Sequence, residues 1–410
     1  MSRKGSTRGK NTGPSHCATS ERAGQSIVME LLNTDVIYFD HNATTPIAGP
    51  VSKAMKPFME GEFGNPSSVY SLGQYAKKAF EEARAALSIL LGCRPSEVIF
   101  TSGGSESNNT VLKGVVDWSR PHDFHIITSA IEHPAVLNPC LYLMGLGVEV
   151  TVLPVDRFGR VDPEDVRKAV RPKTVLISIM LANNEVGTLE PIKELAVIAR
   201  EEDVLIHTDA AQAVGKIPVR VEDLGVDFLS IAGHKMYAPK GVGALYIRQG
   251  RRLTPLVHGA GQENGQRAGT ENVHLAVGLG AASRLAKGQL KEDMKHTKHL
   301  RDRLQEMLLQ GIDGLVIHGH PEDRLPNTLS ISVPRLDGNQ ILQGLPNLCA
   351  STGAACHDRS VKLSHVLSAM GVPGEIGMGT LRLTVGRGNT MDQVEEGAES
   401  IIRRVKNIGR

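Results

Sequence analysis

Between about residues 98 and 250 the chain alternates two patterns. Short runs rich in Val and Ile, "EVIF" (97–100), "FHIITSA" (124–130), "VEVTVLPV" (148–155), "TVLISIML" (174–181), "DVLIHTDA" (203–210) and "VDFLSIA" (226–232), read as strands. Stretches such as "PEDVRKAV" (163–170) and "PIKELAVIAREE" (191–202) space their apolar residues as helices do, the second behind a proline suited to a first turn. Consecutive apolar residues with no polar face predict strands covered on both sides, hence a mixed, mostly parallel sheet layered by helices. In such sheets ligands gather at the carboxyl ends of strands. The polar residues that follow each run are therefore the places to look for chemistry.

From about residue 290 the pattern changes. A charged helix, "LKEDMKHTKHLRDRLQEMLLQG", is followed by two strand-like runs, "NTLSISV" and "GTLRLTV", and a closing helix, "MDQVEEGAESIIRRVKNI". This predicts a smaller α+β domain from residues 34–49 and 290–410, beside a large α/β domain over 50–289. Residues 1–33 form a basic tail, rich in Ser, Thr and Gly at its start, that is expected to be disordered. Its first acidic residue is Glu21, as in a transit peptide, but it lacks an apolar face. A cytoplasmic protein is expected, with mitochondrial import as the alternative.

Composition narrows the choice of partners. With 40% hydrophobic and 22% charged residues and a net charge of +2, the chain reads as globular, with no charge excess for nucleic acid or a membrane surface. No apolar run is long enough to span a bilayer. Five widely spaced cysteines without a metal-type pair suit a reducing compartment. "HTKH" (296–299) lies on a charged helix and "HGH" (318–320) lacks further ligands, so no metal site is expected.

Five polar clusters stand at predicted strand ends. In "FTSGGSESNN", Gly104 and Ser105 open a helix whose free N–H groups would cradle an anion, or they form a plain glycine turn. His133 follows "FHIITS" and could lie on a planar ring, act as an acid or base, or be a satisfied core histidine. Asn183 and Asn184 end "TVLISIML", facing either loops or a ligand. Asp209 ends "DVLIHTD", as a helix cap or as the partner of a protonated ring nitrogen, with Gln212 beyond it. Lys235 follows "VDFLSIA". A phosphate cradle, a stacking ring, a carboxylate and an amine together fit one cofactor, pyridoxal 5′-phosphate.

These residues lie in motifs that resemble the NifS/IscS-type cysteine desulfurases and selenocysteine lyases, within the class-V aminotransferase group of pyridoxal phosphate enzymes. The resemblance runs through "YFDHNATTP", "FGNPSS", "TSGGSESNN", "EHPAV", "LANNEVG", "HTDAAQAVGK", "GHKMYAPKGVGALY", "GQRAGTEN", "RLPNT", "ASTGAACH" and "LRLTVGR", covering nearly everything after residue 36. It implies an aspartate aminotransferase-like fold and removal of selenium or sulfur from selenocysteine or cysteine to leave alanine. Lys235 would carry the cofactor, Asp209 would pair with its ring nitrogen, and Gln212 and Asn184 would reach the ring oxygen. His133 would stack on the ring. Gly104, Ser105 and His234 would hold the phosphate, joined by Thr270 of a second subunit in a homodimer. Arg382, with Asn184, would bind the substrate carboxylate.

Cys356 would be the thiol that takes the sulfur. It lies in a Gly/Ala/Ser stretch, read as a mobile loop, where His357 and Arg359 favour a thiolate; Cys349 sits in the more apolar "NLCAS". Ala232 precedes Gly233-His234 where sulfur-specific members resembling IscS carry serine, which keeps selenocysteine open as a substrate. An acceptor protein for the sulfur or selenium is the remaining implied partner. The competing readings are an aminotransferase, which needs no thiol, a dedicated desulfurase supplying cluster or thio-cofactor assembly, and a non-catalytic binder that keeps the fold.

Overall fold

The computed structural model describes residues 36–352, 354–357 and 360–408, with the side chains of 353–362 outside the description. The basic tail and Cys17 lie outside the described residues. In chain order the strands are β1 (Ile37–Tyr38), β2 (Val98–Thr101), β3 (His125–Ser129), β4 (Glu149–Leu153), β5 (Thr174–Ser178), β6 (Leu205–Asp209), β7 (Phe228–Ala232) and β8 (Gly243–Ile247). They continue with β9 (Val316–His318), β10 (Thr328–Ser332), β11 (Leu348–Cys349), β12 (Ser351–Thr352), β13 (Ala354–His357), β14 (Ser360–Leu363) and β15 (Thr380–Thr384). The helices that matter to the site are α1 (Ser71–Leu91), α2 (Gly104–Gly114), α3 (Pro134–Gly145), α4 (Ile192–Glu201), α5 (Val273–Gly311), α6 (His365–Ala369) and α7 (Met391–Ile408).

Seven strands form the large sheet in the order β2-β8-β7-β6-β5-β3-β4. All neighbours run parallel except β8, which is antiparallel to both β2 and β7. β3, β6 and β7 are buried almost throughout, as runs without a polar face require. β4 departs from that expectation. It is the edge strand, and Glu149 and Val152 are exposed on it. β8 has no forecast of its own in the sequence, because its glycine-rich approach hides a strand that nonetheless pairs on both sides, with β2 and β7.

A second, four-stranded sheet has the order β12-β15-β10-β9 and is antiparallel throughout. Its core gathers Leu329, Ile331, Leu381 and Leu383 with Leu300, Leu304 and Leu308 of α5 and Ile401 of α7. Phe39, next to β1, is buried in the same core.

Helix α5 joins the two layers. It spans 39 residues and begins at Val273, well before the charged stretch predicted from 290. The added turns are rich in Gly and Ala, which carry no apolar periodicity to read. Their smallness serves close packing: a Cβ on Gly280 would come 2.5 Å from the Ala83 Cα on α1, and one on Gly278 would come 2.7 Å from the Met55 sulfur. The stretch around Cys356, read as a loop, is a hairpin instead. β13 and β14 pair antiparallel, with Cys356 opposite Val361. Small residues permit extended pairing as readily as a loop, so composition alone does not separate the two.

Candidate active site

The carboxyl ends of β3, β5, β6 and β7 converge with the start of α2 on one cavity of about 380 Å³. Gly104, Ser105, His133, Asn184, Asp209, Gln212, His234, Lys235 and Arg382 all line it. The sheet topology explains the convergence. Parallel strands point their carboxyl ends the same way, so residues far apart in sequence share one rim.

At the foot of the cavity Asp209 ends β6 and is nearly buried. Its carboxylate accepts from the Asn108 amide at 2.6 Å and from the Ala211 N–H at 2.9 Å. Two donors from different elements hold it in place. Asn108 itself is fully buried, and its Oδ1 has no partner among the described residues.

The start of α2 suits an anion. Gly103 takes φ +151°, a conformation open to glycine, and turns β2 into α2. The first N–H groups of α2 have no partner within the helix, and its dipole favours negative charge there. His234 stands across from it, its Nδ1 3.2 Å from the Thr44 hydroxyl. Burial first, then Lys235, Lys240 and Lys216, lower its pKa to about 4, so it is neutral in the free protein. Ala232 gives this end a methyl group rather than a hydroxyl.

Lys235 lines the same cavity. It follows β7 in a single 3₁₀ turn, Gly233–Lys235. Its amine donates to the main-chain carbonyls of Asn42 and Ala43, the latter at 2.6 Å. Burial, with Arg382 next, lowers its pKa to about 8. His133 caps α3, its Nδ1 accepting from the Ala135 N–H at 3.0 Å. That bond leaves Nε2 to carry the proton of the neutral ring, the form that burial favours.

Arg382 projects from β15 of the small sheet. Its guanidinium donates to Asp40 at 2.8 Å, to the Ser351 hydroxyl at 2.9 Å and to the Asn184 carbonyl at 3.3 Å, while Nε has no partner among the described residues. Asn183 and Asn184 separate here. Asn183 is spent on its own turn, accepting from Glu185 and Val186 and donating to Ile131, whereas Asn184 lines the cavity.

Two expected residues fall elsewhere. Thr270 lines a separate cavity of about 270 Å³ with Ser102, Glu263 and Arg267. Cys356 is placed through its backbone in β13, and its side chain lies outside the described residues. The structure also adds residues that the sequence reading did not single out. Asn108 bonds Asp209, Asp40 pairs with Arg382, and Asn42 lines the cavity. Asn42 sits inside "YFDHNATTP", but nothing in its spacing marks it, since its role comes from contacts made across the fold. Among the described residues no group of three or more His, Cys, Asp or Glu could hold a metal ion.

Residues 37–396 match the aminotransferase class-V family. The chain is 48% identical over 377 residues to a cysteine desulfurase IscS of Dictyoglomus turgidum (strain DSM 6724 / Z-1310), covering 91% of this chain and 96% of the relative. It superposes on the structure of a NifS-like protein with a TM-score of 0.85 at 39% identity, over 90% of this chain and 99% of that one. It also superposes on SspA in complex with cysteine, with a TM-score of 0.76 at 36% identity, over 86% of this chain and 99% of that one.

Proposed function

The chain belongs to the class-V aminotransferase family, and from that membership we infer that it is a pyridoxal 5′-phosphate-dependent cysteine desulfurase, taking sulfur from free L-cysteine and leaving L-alanine. The observation that carries this reading is that Lys235, Asp209 and His133 line one cavity although they lie far apart in sequence. The residues present fit the cofactor. A fixed carboxylate, a helix N-terminus, an imidazole and an amine line one cavity, with an unpartnered buried amide oxygen beside the carboxylate. The similarity to a cysteine desulfurase IscS and to SspA in complex with cysteine supports sulfur over selenium.

Bound there, pyridoxal phosphate supplies an aldehyde for amines and an electron-withdrawing ring. Gly104, Ser105 and His234 would hold its phosphate, and His133 its ring face. Asp209 would keep a proton on the ring nitrogen, and Asn184 and Gln212 would serve the ring oxygen. Arg382 would take the substrate carboxylate on a planar fork of donors, in competition with Asp40. Lys235, whose pKa is lowered to about 8, gives up its proton more readily than an ordinary lysine and is the base suited to move a proton at the substrate Cα. The Cys356 thiolate would attack the substrate sulfur. The sulfur–carbon bond breaks, the sulfur stays on Cys356 as a persulfide, and the carbon skeleton takes up a proton to become alanine.

A homodimer in which Thr270 reaches the neighbouring subunit's phosphate, a protein acceptor for the persulfide and a cytoplasmic location complete the proposal. Among the described residues no helix is long and apolar enough to cross a membrane. The test is alanine release from cysteine and from selenocysteine by the parent and by Cys356→Ala. The variant is expected to keep the visible chromophore and lose turnover of cysteine. Full turnover of cysteine by Cys356→Ala would refute the thiol's role, and a parent that takes up no chromophore would refute the cofactor.

A further inference from the structure

A Gln side chain ends in an oxygen and an NH₂ of nearly equal size, so shape alone does not decide which of them faces a ligand. At Gln212 two contacts decide it. Its Nε2 donates to the main-chain carbonyl of Asn42 at 2.9 Å, and a carbonyl only accepts. Its Oε1 accepts from the Lys216 amine at 2.6 Å. Reversing the amide would set oxygen against oxygen on one side and N–H against N–H on the other.

Lys216 is itself held in place. Its Nζ donates at 2.8 Å to the Oδ1 of Asn42. The Asn42 amide is pinned in turn, because its Nδ2 donates to the Asn184 carbonyl at 3.1 Å and to the Thr328 hydroxyl at 2.9 Å. Asn327 fills the second lone pair of that Oδ1 at 3.1 Å. A direction set by the Asn184 carbonyl, beyond β5, thus passes through Asn42 and Lys216 to Gln212. The amine sits where burial, Lys235 and Arg382 all push it toward the neutral form. As a neutral amine it still has two N–H groups, one for each amide oxygen.

We propose that Lys216 is a positioning residue that turns the oxygen of the Gln212 amide away from the cavity, leaving the second Nε2 hydrogen to serve the bound cofactor. This rests on the function proposed above. An N–H donated to a ring oxygen stabilises negative charge there, so it lowers the pH at which the chromophore gives up its proton. Lys216→Met leaves Oε1 without its donor and loosens that restraint.

The test is a pH titration of the visible absorbance of the holoenzyme, for the parent, Lys216→Met, Gln212→Ala and the double variant. Loss of most of one hydrogen bond is expected to raise the midpoint in Lys216→Met by about 0.5–1 pH unit. On the Gln212→Ala background Lys216→Met is expected to add nothing. An unchanged midpoint in Lys216→Met, or an equal shift on both backgrounds, overturns the proposal. Lys216→Ala takes the place of Lys216→Met if circular dichroism shows that the longer side chain disturbs the fold. If the parent takes up no chromophore, the proposed function fails, and apoprotein crystals decide the point. One amide direction in the parent, read from hydrogen positions by neutron diffraction, that is lost in Lys216→Ala supports the proposal; the same direction in both overturns it.

Discussion

The amine that makes Lys235 useful is a burden on the free protein, and the size of that burden can be worked out. An ordinary lysine loses its proton near pH 10.5, whereas in the fold Lys235 does so at about 8. Burial is the first cause and the Arg382 charge the second. A folded-state pKa below the unfolded one means that the unfolded chain binds the proton more tightly. The penalty is complete below pH 8 and fades as pH rises from 8 to 10.5. A shift of that size corresponds to about 3 kcal/mol at pH 7 and about 1 kcal/mol at pH 10.

Replacing Lys235 by methionine, which has a similar stem and no charge, removes that penalty. It also removes two hydrogen bonds and leaves the carbonyls of Asn42 and Ala43 without this donor, at a cost of about 2 kcal/mol. The apoprotein of Lys235→Met is therefore expected to be more stable than the parent by about 1 kcal/mol at pH 7 and less stable by about 1 kcal/mol at pH 10. Denaturant unfolding of cofactor-free parent and variant at the two pH values reads the difference, and titrating groups that do not face Lys235 cancel in the comparison. A stability difference of the same sign and size at both pH values would refute the argument. It would mean that Lys235 titrates at its ordinary pKa and that the cavity does not prepare it for condensation with an aldehyde.

Three further outcomes follow from the same contacts. Asp209→Asn removes the anion facing the ring nitrogen but keeps the side-chain size, so the chromophore is expected to bind while alanine release falls by about a hundredfold or more, measured with saturating cysteine. Glu263→Ala strips the bidentate partner from Arg84, whose guanidinium lies 2.6 and 3.1 Å from the carboxylate and is almost fully buried beside Phe80 and Phe100. The loss expected in unfolding experiments is about 1–3 kcal/mol, because two charge-assisted hydrogen bonds go while Glu81 still pairs with the guanidinium at 2.9 Å. Ala232→Ser places a hydroxyl at the anion end of the cavity beside His234, and slower release of pyridoxal phosphate, by about fivefold, is expected in a dissociation time course.

What the sequence made legible, and what it hid, divide along a physical line. Asp209, Lys235 and His133 could be picked out because each is a polar residue abutting a run too apolar to be solvent-exposed, and parallel strands carry such junctions to one rim. Asn108, Asp40 and Lys216 left no such trace. Each acts through a contact more than a hundred residues away or through a neighbour's side chain, and their local settings, a helix, a strand end and a turn, are unremarkable for their residue types. Small residues were silent for another reason. Glycine and alanine in the first turns of α5 carry no hydrophobic periodicity, although Gly280 is what lets α5 approach α1.

The same division bears on how the site works. The residues that would touch a substrate come from both sheets, with Lys235 and Asp209 on the large one and Arg382 on the small one. Their mutual distance is therefore set by whatever ties the sheets together inside the cavity wall. Asn42 is that tie. Its amide and backbone bond Asn184, Gln212, Lys216 and Lys235 on the large side and Thr328, Asn327 and Thr384 on the small side. A fully buried, fully satisfied amide resists displacement, since breaking any one of its bonds leaves a polar group unpaired away from water. The spacing between the lysine and the arginine thus depends in part on a residue with no chemical task of its own, and a reading that searches only for reactive side chains will pass over it.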